Sequence, residues 1–368
     1  MIISTIQPGD TIQSFIDLIH SGGGGVLNFN PTGTYNVTSD ITLYDNINLN
    51  GNGSVLDFGG GAFTIKASGS NVYTDGTITS INGGVNVIGD TTLWLSNVIP
   101  FVSQFFFNGQ WMMIAGVVDD ITLVLAEGYD GPTFSSGASY RIATPIQHTK
   151  LENLTIRNST TNGVTVSDAR FLDINTTIIQ NCVNGVNGQY VTEFSLNGLS
   201  NVLNLSDGIS ISNGGRFNWS SVNSVSNAGH GVVLNAVRSA GFSEGTSNSN
   251  QGDGFNITYC SNIVLQSFDA NVNSSNGVNA VSGNSILSFL NSTTEANGGG
   301  GIVLSASSNN TKITNADSFF NFGYGIDILY GSSVNTIIVG CETGYNSSGG
   351  LNDNGTGTLK STTVNIFA

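Results

Sequence analysis

The sequence predicts an all-β fold, a solenoid of short parallel strands, from three observations. An Asn-to-Gly pattern recurs from Asn181-Cys-Val-Asn-Gly185 to Asn346-Ser-Ser-Gly-Gly350, with its Asn at 181, 204, 227, 250, 273, 297, 321 and 346. The steps between these positions are 23 to 25 residues, and Asn158 lies one further step upstream. Self-similarity at such a period marks a repeat architecture and overrides the two or three domains that 368 residues would otherwise imply. Behind each pattern Gly, alternate residues are apolar. Position +1 holds Val186, Ile209, Val232, Phe255, Val278, Ile302 and Ile326, and +3 holds Ile211, Leu234, Ile257, Leu304 and Ile328. A second alternating pair follows at +9 and +11, as in Phe194 and Leu196 or Phe217 and Trp219. Period two is the signature of a strand with one buried face, and no repeat contains a helical stripe. Finally, only 9% of residues are charged and 49 are Gly, which suits stacked coils with polar turns.

A third segment, before the next Asn, is smaller and more hydroxylated (Ser224, Ser247, Ala270, Thr294, Ser318, Thr343). Three short strands per turn give a single-stranded parallel β-helix. Strands of adjacent coils lie about 4.8 Å apart, so each sequence column stacks on itself. An Asn column can then pass amide hydrogen bonds along the axis, since one amide both donates and accepts. Asn and Gly also tolerate left-handed backbone, so both columns are expected to be structural.

From the N-terminus, Thr11 to His20 follows Pro8-Gly9-Asp10 and reads as an amphipathic helix with Ile12, Phe15, Ile16 and Ile19 on one side. It is placed over the open edge of the first coil, making residues 1–24 an N-terminal cap. Residues 25–99 are assigned to the first coils. There the chain carries Gly22-Gly-Gly-Gly-Val-Leu-Asn-Phe-Asn-Pro-Thr-Gly-Thr-Tyr-Asn-Val37, then Ile47-Asn-Leu-Asn-Gly-Asn-Gly53. A Gly-rich turn, a Thr-Tyr strand and an Asn-Gly turn in this order resemble the pectate-lyase-like superfamily of right-handed β-helices. The resemblance continues through the repeats over most of the chain. It implies right-handed coils and admits lyases, glycoside hydrolases, phage tailspikes and proteins without catalysis.

Residues 100–147 break the rhythm with Phe105-Phe-Phe-Asn-Gly-Gln-Trp-Met-Met-Ile114 and a paired strand expected at 119–125. They are assigned to an inserted loop or hairpin flap, of the kind such folds place beside a substrate groove. Regular coils resume at 148–368, the whole forming one continuous solenoid. Behind Gly350 the sequence offers no helix to cover the last coil. This predicts coverage by another subunit, as in a homo-oligomer such as a trimer, with self-capping by residues 351–368 as the alternative.

Nine basic against 24 acidic residues give a net charge of −15, which repels phosphate backbones and argues against nucleic-acid partners. No secretory signal or membrane span is read at Met1–Pro8 or beyond, which fits a mature chain, export by another route, or assembly inside a cell as virion parts are, and an extracellular or virion-surface setting is expected. Cys182, Cys260 and Cys341 fall in different columns, so no disulfide framework is expected.

Three sets of residues are candidates for chemistry. Asp207, His230 and Asp253 precede the pattern Gly in consecutive coils, placing the two carboxylates about 9.6 Å apart, near the upper end of the inverting-hydrolase range. Gly229-His230-Gly231 is similar to a short motif of the polygalacturonase family, whose Asn-Thr-Asp, paired-Asp and Arg-Ile-Lys partners are absent here. Asp317 and Glu342 form an acidic column able to recruit Ca²⁺, although no cofactor is required. Tyr190, Tyr259 and Tyr330 recur at +5 among Asn, Ser and Thr, a surface suited to a polyhydroxylated ligand. The expected function is a surface or virion-appendage β-helix that binds or displays polysaccharide. The alternative is a tailspike-type polysaccharide hydrolase or lyase.

Overall fold

The computed structural model describes residues 2–81, 84–129, 137–305, 308–329 and 334–360, and the backbone of 365–367. Each coil carries three strands, and the strands of successive coils pair in parallel to build three stacks. Stack I contains the strands directly behind the pattern Gly, with Val164, Val186, Ile209, Val232, Phe255, Val278, Ile302, Ile326 and Leu351 in register. Stack II runs Lys150, Asp173, Ser195, Asn218, Gly241, Val264, Ser288, Lys312, Ile337, Leu359. Stack III consists of strands of three residues such as Ser200–Val202 and Asn223–Val225. The alternation read from the sequence fills the coil interior: Ile209, Ile211, Phe217 and Trp219 are all buried, as are Ser224, Ser247, Ser318 and Thr343 of stack III.

The Asn column is a buried ladder. Asn227 donates from its amide to Asn250 Oδ1 (2.9 Å), Asn250 to Asn273 Oδ1 (3.0 Å), Asn273 to Asn297 Oδ1 (3.0 Å) and Asn297 to Asn321 Oδ1 (2.9 Å). Each Oδ1 also accepts the backbone N–H of the preceding Asn, so the ladder amides themselves are satisfied inside the core. The ladder starts at Asn204, later than the repeat implied. The coil containing Cys182 has one residue fewer between stacks III and I, so Cys182 takes the ladder position and Asn181 moves to the surface. The left-handed role expected for this column also falls elsewhere. Left-handed backbone sits one residue before each ladder Asn, at Leu203, Ser226, Ser249, Val272, Ala296, Phe320 and Tyr345. The pattern Gly is required for space instead: a Cβ on Gly208 or Gly231 would overlap the hydroxyl of Ser224 or Ser247.

At the N-terminus the helix Ile12–Ser21 buries Ile12, Ile16 and Ile19 against the first coil, as expected. Thr11 makes no side-chain cap, and Asp10 Oδ2 accepts the Gln7 N–H (2.8 Å) rather than serving the helix. At the other end, strand Asn365–Phe367 pairs with Glu342–Gly344. Residues 361–364 and the side chains through Ala368, on which the capping expectation turns, lie outside the described residues.

The insertion is larger than the 100–147 segment anticipated. The solenoid is left after Ser68, and seven antiparallel strands between Ser70 and Thr144 form a separate sheet. Strand Thr122–Leu125 pairs with Gln110–Asp119, as the sequence indicated. Trp94, Phe105, Ile114, Leu123 and Ile142 give this sheet its own core. Residues 70–90 were assigned to coils because period two does not distinguish a parallel from an antiparallel partner. The strand Ile146–Arg157 then pairs with Ile47–Asp57, so the coils stack without a gap across an excursion of some seventy residues.

Replacing a ladder residue such as Asn250 by Ala strands the Asn227 donors and the Ser224 carbonyl in the core. At about 1–3 kcal/mol per buried unsatisfied group, the loss should reach several kcal/mol in denaturant unfolding. Exposed Asn197→Ala, which breaks a surface contact with the Ser220 hydroxyl, should change stability by less than about 0.5 kcal/mol.

Candidate functional site

The insertion rests on the corner between stacks I and II, where positions +5 and +8 take left-handed backbone: Tyr190 and Glu193, Asn213 and Arg216, Ala236 and Ser239. Gly109, itself left-handed, packs against Gly214 and Gly215, where side chains on either surface would collide with backbone. Trp111 Nε1 donates to the Tyr190 carbonyl (2.9 Å). Phe106 meets the Tyr190 ring edge-on (5.3 Å between centroids, 81°), and the Arg141 guanidinium stacks 4.4 Å from its centroid. Arg141 is held in turn by a two-point ion pair with buried Asp168.

Between the insertion and this corner lies a cleft of about 460 Å³. Its walls are Phe106, Phe107, Tyr129 and Tyr140 from the insertion, and Tyr190, Asn213 and Ala236 from three successive coils. Asn108 donates to Tyr129 Oη (2.9 Å) and Trp94 Nε1 to Tyr140 Oη (2.9 Å). Burial pushes the Tyr140 phenol far above its ordinary value, so it remains neutral. Aromatic walls, a few amides and no carboxylate among the lining residues make a site for a neutral polar ligand face. Of the predicted tyrosines, Tyr190 lines it. Tyr259 projects from a coil three turns further on and is 64% exposed, and Tyr330 lies outside the described residues. The insertion aromatics were legible only as a dense apolar run, because no repeat registers them to the coils.

Asp207, His230 and Asp253 do stack, and they form a second ladder on the edge of the coil. Asn184 Oδ1 accepts the Asp207 N–H (3.0 Å), Asp207 Oδ1 the His230 N–H (2.9 Å), and His230 Nδ1 the Asp253 N–H (2.8 Å). Asp253 accepts from Asn276 N and Nδ2 on Oδ1 (3.0 and 2.9 Å), and from Asn256 and Asn279 on Oδ2 (2.9 and 3.1 Å). The two carboxyls diverge. Burial pushes Asp207 up, outweighing its bond from the His230 backbone and the His230 charge. Burial also pushes Asp253 up, but hydrogen bonds from Ser275, Asn276, Asn256 and Asn279 together bring it below the usual range.

Asp317 and Glu342 are register partners on adjacent strands, both exposed. Burial and then the Glu342 charge raise Asp317. Among the described residues no group of three or more His, Cys, Asp or Glu could hold a metal ion, so this pair offers Ca²⁺ two carboxylates of the six to eight oxygens it takes. Cys182, Cys260 and Cys341 are buried free thiols, and burial raises the first two to about 11. No helix of the described residues is long and apolar enough to cross a membrane.

The ladder carboxyls should respond oppositely to amide substitution. Asp207→Asn keeps an acceptor for the His230 N–H and removes a desolvated charge, so at pH 7 its melting temperature should equal or exceed the parent's. Asp253→Asn turns an NH₂ toward the Asn256 and Asn279 donors and should cost about 1–3 kcal/mol at pH 7. Because the Asp253 pKa is depressed on folding, its contribution exists above the ordinary carboxyl range of about 4 and is lost as pH falls through the folded value. For Asp207 the folded pKa is raised, so its penalty is present at neutral pH and vanishes on acidification. Melting curves between about pH 3 and 7 should therefore show both differences shrinking toward acid from opposite signs.

Comparison with known proteins agrees with this architecture. The A-module of a mannuronan C-5 epimerase from Azotobacter vinelandii superposes with a TM-score of 0.64 at 15% identity, covering 97% of this chain and 100% of the other. The gp54 tailspike of Acinetobacter baumannii bacteriophage AP22, in complex with a capsular saccharide, gives 0.54 at 14% identity, covering 96% and 77%. A periplasmic alginate epimerase double mutant gives 0.53 at 13% identity, covering 99% and 84%. No curated protein sequence matches the chain significantly. Residues 186–343 match the family model described as a right handed beta helix region, and with the stacked coils this makes the chain a right-handed parallel β-helix.

Proposed function

We propose that this is an extracellular or surface-displayed glycan-binding β-helix, and that the saccharide sits in the cleft between the insertion and the coil corner. The observation that carries the reading is the cleft itself, in which five aromatic rings and the amides of Asn108 and Asn213 converge. Aromatic faces pack against the C–H faces of sugar rings, and amides both donate to and accept from hydroxyls. The cleft forms only because a second sheet folds back on the coils, and its Tyr190 wall is fixed from behind by Arg141 and Asp168. That fixation limits the ordering cost of binding. The similar tailspike is seen with a capsular saccharide and the similar epimerases are named for mannuronan and alginate, which supports a polysaccharide as ligand class. The acidic surface, at −15 overall, favours neutral over polyanionic chains except where local cations intervene.

The test is a panel of neutral and acidic polysaccharides assayed by affinity electrophoresis or calorimetry. Tyr190→Ala should weaken binding roughly tenfold through loss of the stacking face, with Tyr259→Ala indistinguishable from the parent. Binding that is equally strong in Tyr190→Ala, with its melting temperature retained, would place the ligand elsewhere.

A further inference from the structure

The aromatic cleft offers a ligand much ring surface and few hydrogen-bonding groups, and some of those groups are already committed. The Tyr140 hydroxyl accepts from Trp94 Nε1 and donates to the Asp75 carbonyl, so its proton is spent inside the insertion. Asn108 gives one amide proton to Tyr129 Oη, which leaves its Oδ1 for a ligand. Among the described residues the side chains of Asn213 and Ser139 have no protein partner. The two amides reach the cleft for one reason. Each precedes a Gly, and Gly109 of the insertion packs on the backbone of Gly214 in the coil corner. One amide therefore stands on the insertion wall and the other on the coil wall.

The coil wall also changes character from turn to turn. Its +5 position is Tyr190, then Asn213, then Ala236, all in left-handed backbone. Adjacent coils are about 4.8 Å apart, so a ring, an amide and a methyl follow one another at that spacing.

This inventory discriminates among sugars. A plain hexose carries a hydroxyl on most of its carbons, and each one enclosed between rings without a partner is desolvated at a cost. A uronate fares worse. None of the described lining residues is charged, and the Arg141 behind Tyr190 is already paired with Asp168. An acetamido group replaces one hydroxyl by a donor, an acceptor and a methyl. Its planar trans amide points N–H and C=O in opposite directions, which suits a cleft with one primary amide on each wall.

We propose that the aromatic cleft is a subsite for a 2-acetamido sugar, whose acetamido group bridges Asn108 and Asn213 and sets its methyl on Ala236; the proposal rests on the glycan reading above and names the sugar class. Asn108 Oδ1 accepts the acetamido N–H, and the Asn213 amide donates to the acetamido carbonyl. The sugar ring lies against Tyr190.

The intact protein is titrated with N-acetylglucosamine, N-acetylgalactosamine and N-acetylmannosamine, each against its parent hexose, with fucose and glucuronate as further arms. Binding is read by saturation-transfer NMR, and the use of single sugars removes any dependence on linkage. At least one acetamido sugar should bind about tenfold more tightly than its parent hexose, with the strongest saturation on the acetamido methyl. Asn213→Ala and Ala236→Asn each copy the residue found at +5 one coil away, so both suit the left-handed backbone. Each should remove the acetamido advantage while keeping the melting temperature. A parent hexose, fucose or glucuronate that binds through Tyr190 as tightly as every acetamido sugar would overturn this inference and leave the glycan reading intact. An acetamido advantage that survives both substitutions would overturn it too. No binding by any of these sugars, or by any polysaccharide of the panel, would overturn both.

Discussion

A side-chain amide enclosed in an apolar core must find partners for both its donor and its acceptor, and here each Asn finds them in the coils on either side of it. That requirement sets the rest of the solenoid. It fixes the axial rise to the spacing of paired strands and keeps each coil in register with the next. The pattern Gly follows from the same packing, because the hydroxyls of stack III occupy the space a Cβ would need. Where one turn shortens, at Cys182, the amide is replaced by a thiol that is both small and buried, and the stacking continues.

The corner between stacks I and II obeys a different rule. It turns by placing non-glycine residues in left-handed backbone at +5 and +8, a conformation that costs side chains more than it costs Gly. Tyr190, Glu193, Asn213 and Arg216 all occupy these positions. The insertion leaves and rejoins the coils at the same corner, so its sheet falls directly over them. The excursion thereby creates the aromatic cleft, whereas a charged cleft around Lys150 and Asp173 is lined by the coils alone.

Electrostatics separate this region from the remainder of the rod. Seven of the nine basic residues (Lys66, Arg141, Lys150, Arg157, Arg170, Arg216 and Arg238) precede residue 239, leaving only Lys312 and Lys360 beyond it. Several are committed to carboxylates, as in Arg157 with Asp57, Lys150 with Glu152 and Arg170 with Glu193. In half-buried pairs of this kind the loss of hydration offsets much of the attraction. Around the insertion they nonetheless place cations where an otherwise acidic surface would repel an anionic saccharide.

The solenoid was legible in the sequence because it rests on local periodicities repeated many times. Alternation placed Ile209, Ile211, Phe217 and Trp219 inside, and the Asn spacing placed the ladder to within one coil. The stacking of Asp207, His230 and Asp253 could be counted from the same spacing. What counting could not supply was their use as acceptors for the next backbone N–H, which depends on which way each side chain turns. The aromatic cleft was illegible for a stronger reason. Phe106 and Arg141 meet Tyr190 through a non-repeating insertion, and no period relates residues across it. The sequence determined the rod, its interior and its polar columns, since each is fixed by contacts between neighbours one repeat apart. Only the tertiary structure decided the site, because it depends on where an antiparallel sheet with a core of its own comes to rest.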